Sequence, residues 1–263
     1  MVWLRADTLV DDGYANNTGL TAGTIWRDRT SADFGFGDGI AQDATHTNGG
    51  PTLRYTDGPN GQPIVGFGNG GGLDYVGSTG VSGSDFATFI VARYTGSGNA
   101  DHRAFQIGTH GTPGEIVGFD LATPAFRYNN GNNQFADDPV TGTFHIASFF
   151  TDPSDTYATG EYLLDGIAGS STAVTNGGNV LNLADTGYAI GRGTDNNGNA
   201  RNYANAEIAE VLLFNRSLAE PEINSVLAYL SDRYALETAY VPEPSRALLL
   251  IGGFAACLLR RRR

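Results

Sequence analysis

Short apolar or alternating runs, separated by clusters of Gly, Asn and Asp at intervals of about 10 to 20 residues, fill the chain from residue 2 to about residue 235. Runs that short, bounded by turn-forming residues, predict strands, and so many in succession predict an all-β fold of two antiparallel sheets packed as a sandwich. The expected strands are 2–4, 24–26, 63–67, 73–76, 86–94, 104–108, 115–119, 125–128, 144–151, 160–164, 187–191 and 206–214. The 86–94 run is nearly continuous in apolar character, so it is expected at the centre of a sheet, covered on both faces. Asp165 and Gly166 stand between two extended segments and signal a hairpin. One helix is expected in the body: Ile223, Val226, Leu227, Leu230 and Tyr234 fall on a single stripe at helical spacing. Ser217 and Glu220 have the spacing of a capping box, and Pro221 suits the first turn, where its missing N–H costs nothing. The stripe is expected to pack on the sheet that holds 206–214. No repeat of fixed period and no Pro/Ser-rich linker divides residues 1–235, so a single domain is expected over 1–237.

The last 23 residues break this pattern. Pro242, Glu243 and Pro244 precede an apolar run at 247–259, which four arginines, Arg260, Arg261, Arg262 and Arg263, terminate. As a helix the run rises about 20 Å, short of the roughly 30 Å hydrocarbon core, yet it inserts if the bilayer thins and the arginines snorkel. The basic end stays cytoplasmic and everything before Pro242 lies across the membrane. The two prolines hold an extended, accessible segment between domain and anchor. The expected order is therefore a linker at 238–246, a short transmembrane anchor helix at 247–259 and a cytoplasmic Arg cluster at 260–263. These three parts, in this order at the end of the chain, resemble the PEP-CTERM sorting signal of Gram-negative bacteria. The resemblance implies an exosortase as partner, cleavage near Pro-Glu-Pro, transient anchoring in the inner membrane, and delivery to the cell surface or extracellular matrix. Export also needs an N-terminal signal; residues 1–7 have neither a basic region nor an apolar stretch, so an in-frame signal peptide is expected upstream.

Charge narrows the choice of partner. The chain has no lysine, and through residue 240 it carries 11 arginines against 27 acidic residues, a net charge near −16. Such a surface repels nucleic acid and anionic lipid. Its one cysteine, Cys257, lies in the anchor, so the exported part is held by core burial with no disulfide.

Several separated segments of the body carry a second resemblance. They are Val2-Trp3-Leu4-Arg5-Ala6-Asp7, Trp26-Arg27-Asp28-Arg29, Asn60-Gly61-Gln62-Pro63-Ile64-Val65-Gly66-Phe67, and the stretch from Ala206 to Leu218 with the helix after it. Together they are similar to laminin-G-like domains of the concanavalin A-like lectin/glucanase superfamily. The resemblance covers residues 2–236 and implies a jelly-roll sandwich that binds a polysaccharide or a surface protein.

That superfamily includes glycosidases, which need two carboxylates on one face of a strand. No Glu-x-Asp-x-Glu segment is present. Glu207 and Glu210 are three apart, so on a regular strand they face opposite ways. Glu161 and Asp165 share parity, but Asp165 belongs to the turn. Glu210 is expected to point inward, paired with Arg216 or Arg192. The four histidines, His46, His102, His110 and His145, form no zinc-ligating cluster and read as loop or strand-end residues. Asp195, Asn197 and Asn199 offer oxygens at alternate positions, as a calcium loop does, but Ala200 replaces the expected Gly and no Glu follows at the twelfth position. They are candidates for a structural calcium, with a plain turn as the alternative; no other cofactor is expected. Tyr128, Asn130, Asn132 and Tyr203 are candidate ligand-binding residues, the alternative being edge tyrosines half-buried by packing. The sequence thus predicts a non-catalytic binding module, exported and sorted. Its alternatives are a divergent polysaccharide-active hydrolase and a purely structural biofilm component.

Overall fold

The computed structural model describes residues 2–20, 24–26, 39–42, 50–68, 71–76, 80–81, 85–96, 103–107, 117–120, 125–128, 131–135, 140–153, 155–156, 159–169, 171–173, 183, 185, 187–194, 200–201 and 203–239. Its strands in chain order are β1 (Val2–Arg5), β2 (Thr18–Gly19), β3 (Ile25–Trp26), β4 (Gly39–Gln42), β5 (Thr52–Arg54), β6 (Ile64–Phe67), β7 (Gly72–Val76), β8 (Phe86–Tyr94), β9 (Arg103–Ile107) and β10 (Val117–Asp120). They continue as β11 (Ala125–Tyr128), β12 (Gly131–Phe135), β13 (His145–Thr151), β14 (Glu161–Leu164), β15 (Ile167–Ala168), β16 (Ser171–Ala173), β17 (Gly187–Ile190), β18 (Gly193–Thr194), β19 (Ala200–Arg201) and β20 (Ala206–Phe214). Helix α1 (Asp7–Asp11) follows β1 and helix α2 (Glu220–Tyr234) follows β20.

The strands make two antiparallel sheets. The first runs β15-β14-β13-β8-β20-β6-β5-β2, with β1 also on β20; the second runs β16-β12-β11-β10-β9-β17-β7-β4-β3. Their facing sides share one core, which takes Val2, Leu4, Val65 and Ile90 from the first sheet and Leu73, Phe105, Ile107 and Tyr188 from the second. The protein is a β-sandwich. Trp26 is fully buried in this core and donates its indole N–H to the Arg5 carbonyl at 2.7 Å.

β8 shows why its sequence is apolar throughout. Phe86, Ile90 and Ala92 enter the inter-sheet core, while Ala87, Phe89 and Val91 enter a second core on the outer face. Helix α2 supplies the cover there through Leu227, Leu230 and Tyr234, with Ile223 and Val226 at the margin. The expected helix stripe thus lies on the sheet that holds β20. Its cap differs from the expectation. The N-cap is Ala219 rather than Ser217, and Glu222, not Glu220, accepts from the Ala219 N–H at 2.9 Å. Ala219 has no side-chain oxygen to return the bond, so only half of the capping box forms. Pro221 does sit in the first turn.

Asp165 and Gly166 take positive φ, 52° and 77°, and join β14 to β15, the hairpin that Asp-Gly signalled. The short helix α1 and the strands β2, β4, β5, β12, β16, β18 and β19 are additions to the sequence expectation. Among the described residues no helix is long and apolar enough to cross a membrane. The expected anchor at 247–259 and the sorting residues around it lie outside the described residues.

Candidate functional site

β20 brings both expected carboxylates to the outer face, by a route that strand parity did not foresee. Its pairing with β8 slips between Ile208, opposite Ala92, and Glu210, opposite Val91. Ala209 is the bulged residue, and its carbonyl accepts from Ala6 N–H at 3.0 Å. A bulge resets the alternation. Ala206 and Ile208 before it, and Val211 and Leu213 after it, all enter the inter-sheet core. Glu207 and Glu210 therefore share the opposite face, although three positions separate them.

Glu210 is fully buried beneath α2. Its Oε1 accepts from the Trp3 indole N–H at 2.5 Å and the Tyr229 hydroxyl at 3.1 Å, and its Oε2 from the Tyr234 hydroxyl at 2.7 Å. Arg233 Nε stands 3.7 Å away, too far for a hydrogen bond, while Arg233 Nη2 binds Asp7 at 2.9 Å. The expected partners are corrected accordingly. Arg216 is exposed and pairs with Glu222, holding that carboxyl down at about 2 with help from the Ala219 N–H. Burial pushes the Glu210 carboxyl above its ordinary value, against the hydrogen bonds from Tyr234, Trp3 and Tyr229. Glu210 pins helix to sheet, and no approach from solvent reaches it.

Glu207 lies where α2 no longer covers the sheet. Thr52, Gly66, Glu207 and Arg93 form one register row across β5, β6, β20 and β8. Glu207 Oε1 accepts from Arg54 Nη1 at 2.6 Å, and Oε2 accepts from Arg93 Nε. The Arg93 guanidinium also sits over the Phe144 ring, 4.6 Å from its centre. Arg54 reaches toward Asp57 at 3.8 Å. Two guanidiniums thus face two carboxylates, and the cluster is neutral as a whole. Beside it opens a shallow cavity of about 270 Å³, lined among others by Thr52, Arg54, Gly66, Gly68, Asn205 and Glu207.

A larger groove, about 770 Å³ and open to solvent, runs between the first turn of α2 and the β13–β14 connection. Asp152, Asp155, Glu161 and Glu220 line it above a floor that includes Phe150 and Ile223. Asp155 is committed to its own loop, accepting from Asp152 N–H and Thr159 Oγ1, both at 2.7 Å.

Among the remaining candidates, the backbone is described for Tyr128, Asn132, Tyr203 and His145. Tyr128 ends β11 opposite Gly131, whereas Asn132 in β12 is opposite Arg127. Tyr203 is half-buried and bridges to Arg103 beside β9. Asn130 lies outside the described residues, as do Asp195, Asn197 and Asn199, which fall between the paired strands β18 and β19. His145 begins β13, with Nδ1 2.7 Å from Asp165 Oδ2 and Nε2 accepting from Val140 N–H at 3.1 Å. His46, His102 and His110 are outside the described residues. Sequence reasoning overlooked Arg54, Arg93, Trp3 and Tyr229. Each reaches its carboxylate from another element, so no local spacing marks it.

No protein-family model matches the chain, and no curated protein matches it. Solved structures do. Domain 4 of AbnA, a GH43 extracellular arabinanase from Geobacillus stearothermophilus, solved in complex with arabinotriose, aligns with a TM-score of 0.52 at 14% identity, over 86% of this chain and 97% of that one. Trypanosoma rangeli sialidase, as a covalent intermediate with 2,3-difluorosialic acid, aligns with a TM-score of 0.51 at 15% identity, over 88% of this chain. The likeness is one of fold alone. The alignment takes in 97% of the arabinanase domain but only 32% of the sialidase.

Proposed function

We propose that this chain is an exported surface or matrix protein of a Gram-negative bacterium, whose sandwich is a non-catalytic carbohydrate-binding module. Its tail is an exosortase substrate. Pro242, Glu243 and Pro244 present the cleavage region, the 247–259 run anchors the precursor in the inner membrane, and Arg260 to Arg263 hold the cytoplasmic side. The jelly-roll, laminin-G-like reading of the body belongs to the same proposal, with Tyr128, Asn130, Asn132 and Tyr203 as its sequence-derived platform.

The observation that carries the binding reading over a hydrolytic one is the state of the two strand carboxylates. Glu207 is clasped by two arginines and Glu210 is sealed under α2 by three aromatic donors. A retaining or inverting pair needs one carboxyl free to give a proton and another free to attack or activate water. The likeness to a domain solved with arabinotriose favours a saccharide as ligand over a surface protein. Sorting is tested by producing the protein from its genomic reading frame in cells with and without the exosortase, and following both ends by mass spectrometry. Loss of the C-terminus near Pro242 only when the exosortase is present supports the proposal. An intact C-terminus on a soluble cytosolic protein sinks it.

A further inference from the structure

The cavity beside Glu207 is built from side chains that alternate hydrogen-bond donors with acceptors. Arg54 supplies N–H groups, Glu207 supplies carboxylate oxygens, and Thr52 and Asn205 add a hydroxyl and an amide, each able to donate or accept. Glu207 is 7% exposed and fixed by both arginines, so the acceptor is held in place before any ligand arrives. Gly66 lines the cavity beside Arg54. A Cβ there would stand 3.8 Å from Arg54 Cζ and Nη2, so the guanidinium lies directly over this residue. Helix α2, which covers the outer face around Val91 and Ala209, does not line this cavity.

From this geometry we infer that the Thr52–Arg54–Gly66–Asn205–Glu207 cavity is a subsite for one neutral saccharide unit; the inference rests on the carbohydrate-binding reading above. A vicinal diol both accepts from a guanidinium N–H and donates to a carboxylate, and an Arg–Glu pair offers those two groups side by side. The cluster's charges cancel, so a neutral ligand leaves no charge unpaired. An anionic sugar would have to approach a body with 11 arginines against 27 acidic residues through residue 240. The volume of about 270 Å³ falls just below the roughly 300 Å³ where ordinary ligand sites begin, and suits a single ring rather than a chain.

The test uses Gly66→Val in the full-length protein. This residue is in a strand and on the outer face, so a β-branched side chain suits the backbone but enters the cavity and displaces Arg54. Wild type, Gly66→Val and Thr52→Val are run through native gels containing arabinan, xylan, galactan, β-glucan or polygalacturonate, with melting curves recorded for each. The expected result is retardation of wild type by at least one neutral polysaccharide. Gly66→Val should lose it by about tenfold or more, and Thr52→Val should lose it several-fold at near-wild-type melting temperature, since about 1.4 kcal/mol lost from one sugar contact is a factor of ten. Should Gly66→Val melt early, Thr52→Val alone decides. Retardation that survives in the folded variant overturns the subsite while leaving the module a carbohydrate binder. Retardation by polygalacturonate only overturns the neutral-ligand assignment. No retardation of wild type by any of the five overturns the binding reading, and the subsite with it.

Discussion

At the scale of residues, the fate of Glu210 shows how burial and pairing compete. Desolvation raises its pKa in the folded chain, and hydrogen bonds from Tyr234, Trp3 and Tyr229 offset only part of the rise. Folding therefore favours the protonated form. The stability tied to this proton is fully present below the ordinary carboxylate value of 4.5 and is lost as pH rises through the raised folded value. Glu210→Gln cannot ionise. Its stability relative to wild type should improve as pH climbs from about 4 to about 7, read from urea midpoints at each pH. An unchanged difference across that range would mean the carboxyl carries no linked proton. Glu210→Ala removes the acceptor shared by Trp3, Tyr229 and Tyr234, and at about 1–3 kcal/mol for each orphaned buried group it should destabilise the fold by on the order of 3 kcal/mol. The burial of Glu210 was legible from its place in an apolar strand, although the bulge at Ala209 turns it to the face opposite Ile208, under α2. Its partners were not, because Trp3 lies 207 positions away and aromatic donors leave no charge pattern to read.

At the scale of elements, legibility followed length and periodicity. The runs at Phe86–Tyr94, Ala125–Tyr128 and Ala206–Phe214 form strands with the bounds their sequences predict. β12, Gly-Asn-Asn-Gln-Phe, reads as a turn because propensity speaks against a strand, and only pairing with β11 and β16 makes it one. β2, β18 and β19 have two residues each, too few to show an alternation. Helix α2 was predicted from its stripe, yet its start was misplaced, and neither end carries the residue that normally marks it. Ala219 at the N-cap is extended, with φ −67° and ψ 153°, and Ala235 at the C-terminal end is left-handed, with φ 50° and ψ 39°. A hydroxyl at the first and a missing Cβ at the second would each suit the backbone that is already there. Ala219→Ser and Ala235→Gly should therefore each stabilise the protein by about 0.5–1 kcal/mol, measured by chemical denaturation. Both residues are exposed, so neither change disturbs packing. Loss of stability in Ala235→Gly would show that the backbone entropy of glycine outweighs the relieved strain.

The whole molecule ties its first and last strands together. One edge of β20 is shared: β6 pairs with Ala206 to Ile208 and β1 with Glu210 to Leu213, and the bulge at Ala209 marks the handover between them. Residues near both ends of the domain must thus meet before this sheet is complete, and no local pattern encodes that meeting. The domain so closed is strongly acidic, with 11 arginines against 27 acidic residues through residue 240. Four of its carboxylates line one groove, at Asp152, Asp155, Glu161 and Glu220. Two of its ion-paired clusters, Arg54–Glu207–Arg93 and Arg5–Asp7–Arg233, are partly buried and weakly screened, whereas salt acts on the groove's exposed carboxylates. Net repulsion should therefore dominate the response to ionic strength. Raising NaCl from near zero to about 0.5 M at neutral pH should stabilise the protein by on the order of 1 kcal/mol, a rise in Tm of about 2–4 °C for a domain of this size. Sodium sulfate, which also strengthens apolar burial, should raise it further. A fall in Tm with NaCl would mean that the local pairs outweigh the surplus, and that the acidic surface is already neutralised by contacts within the fold.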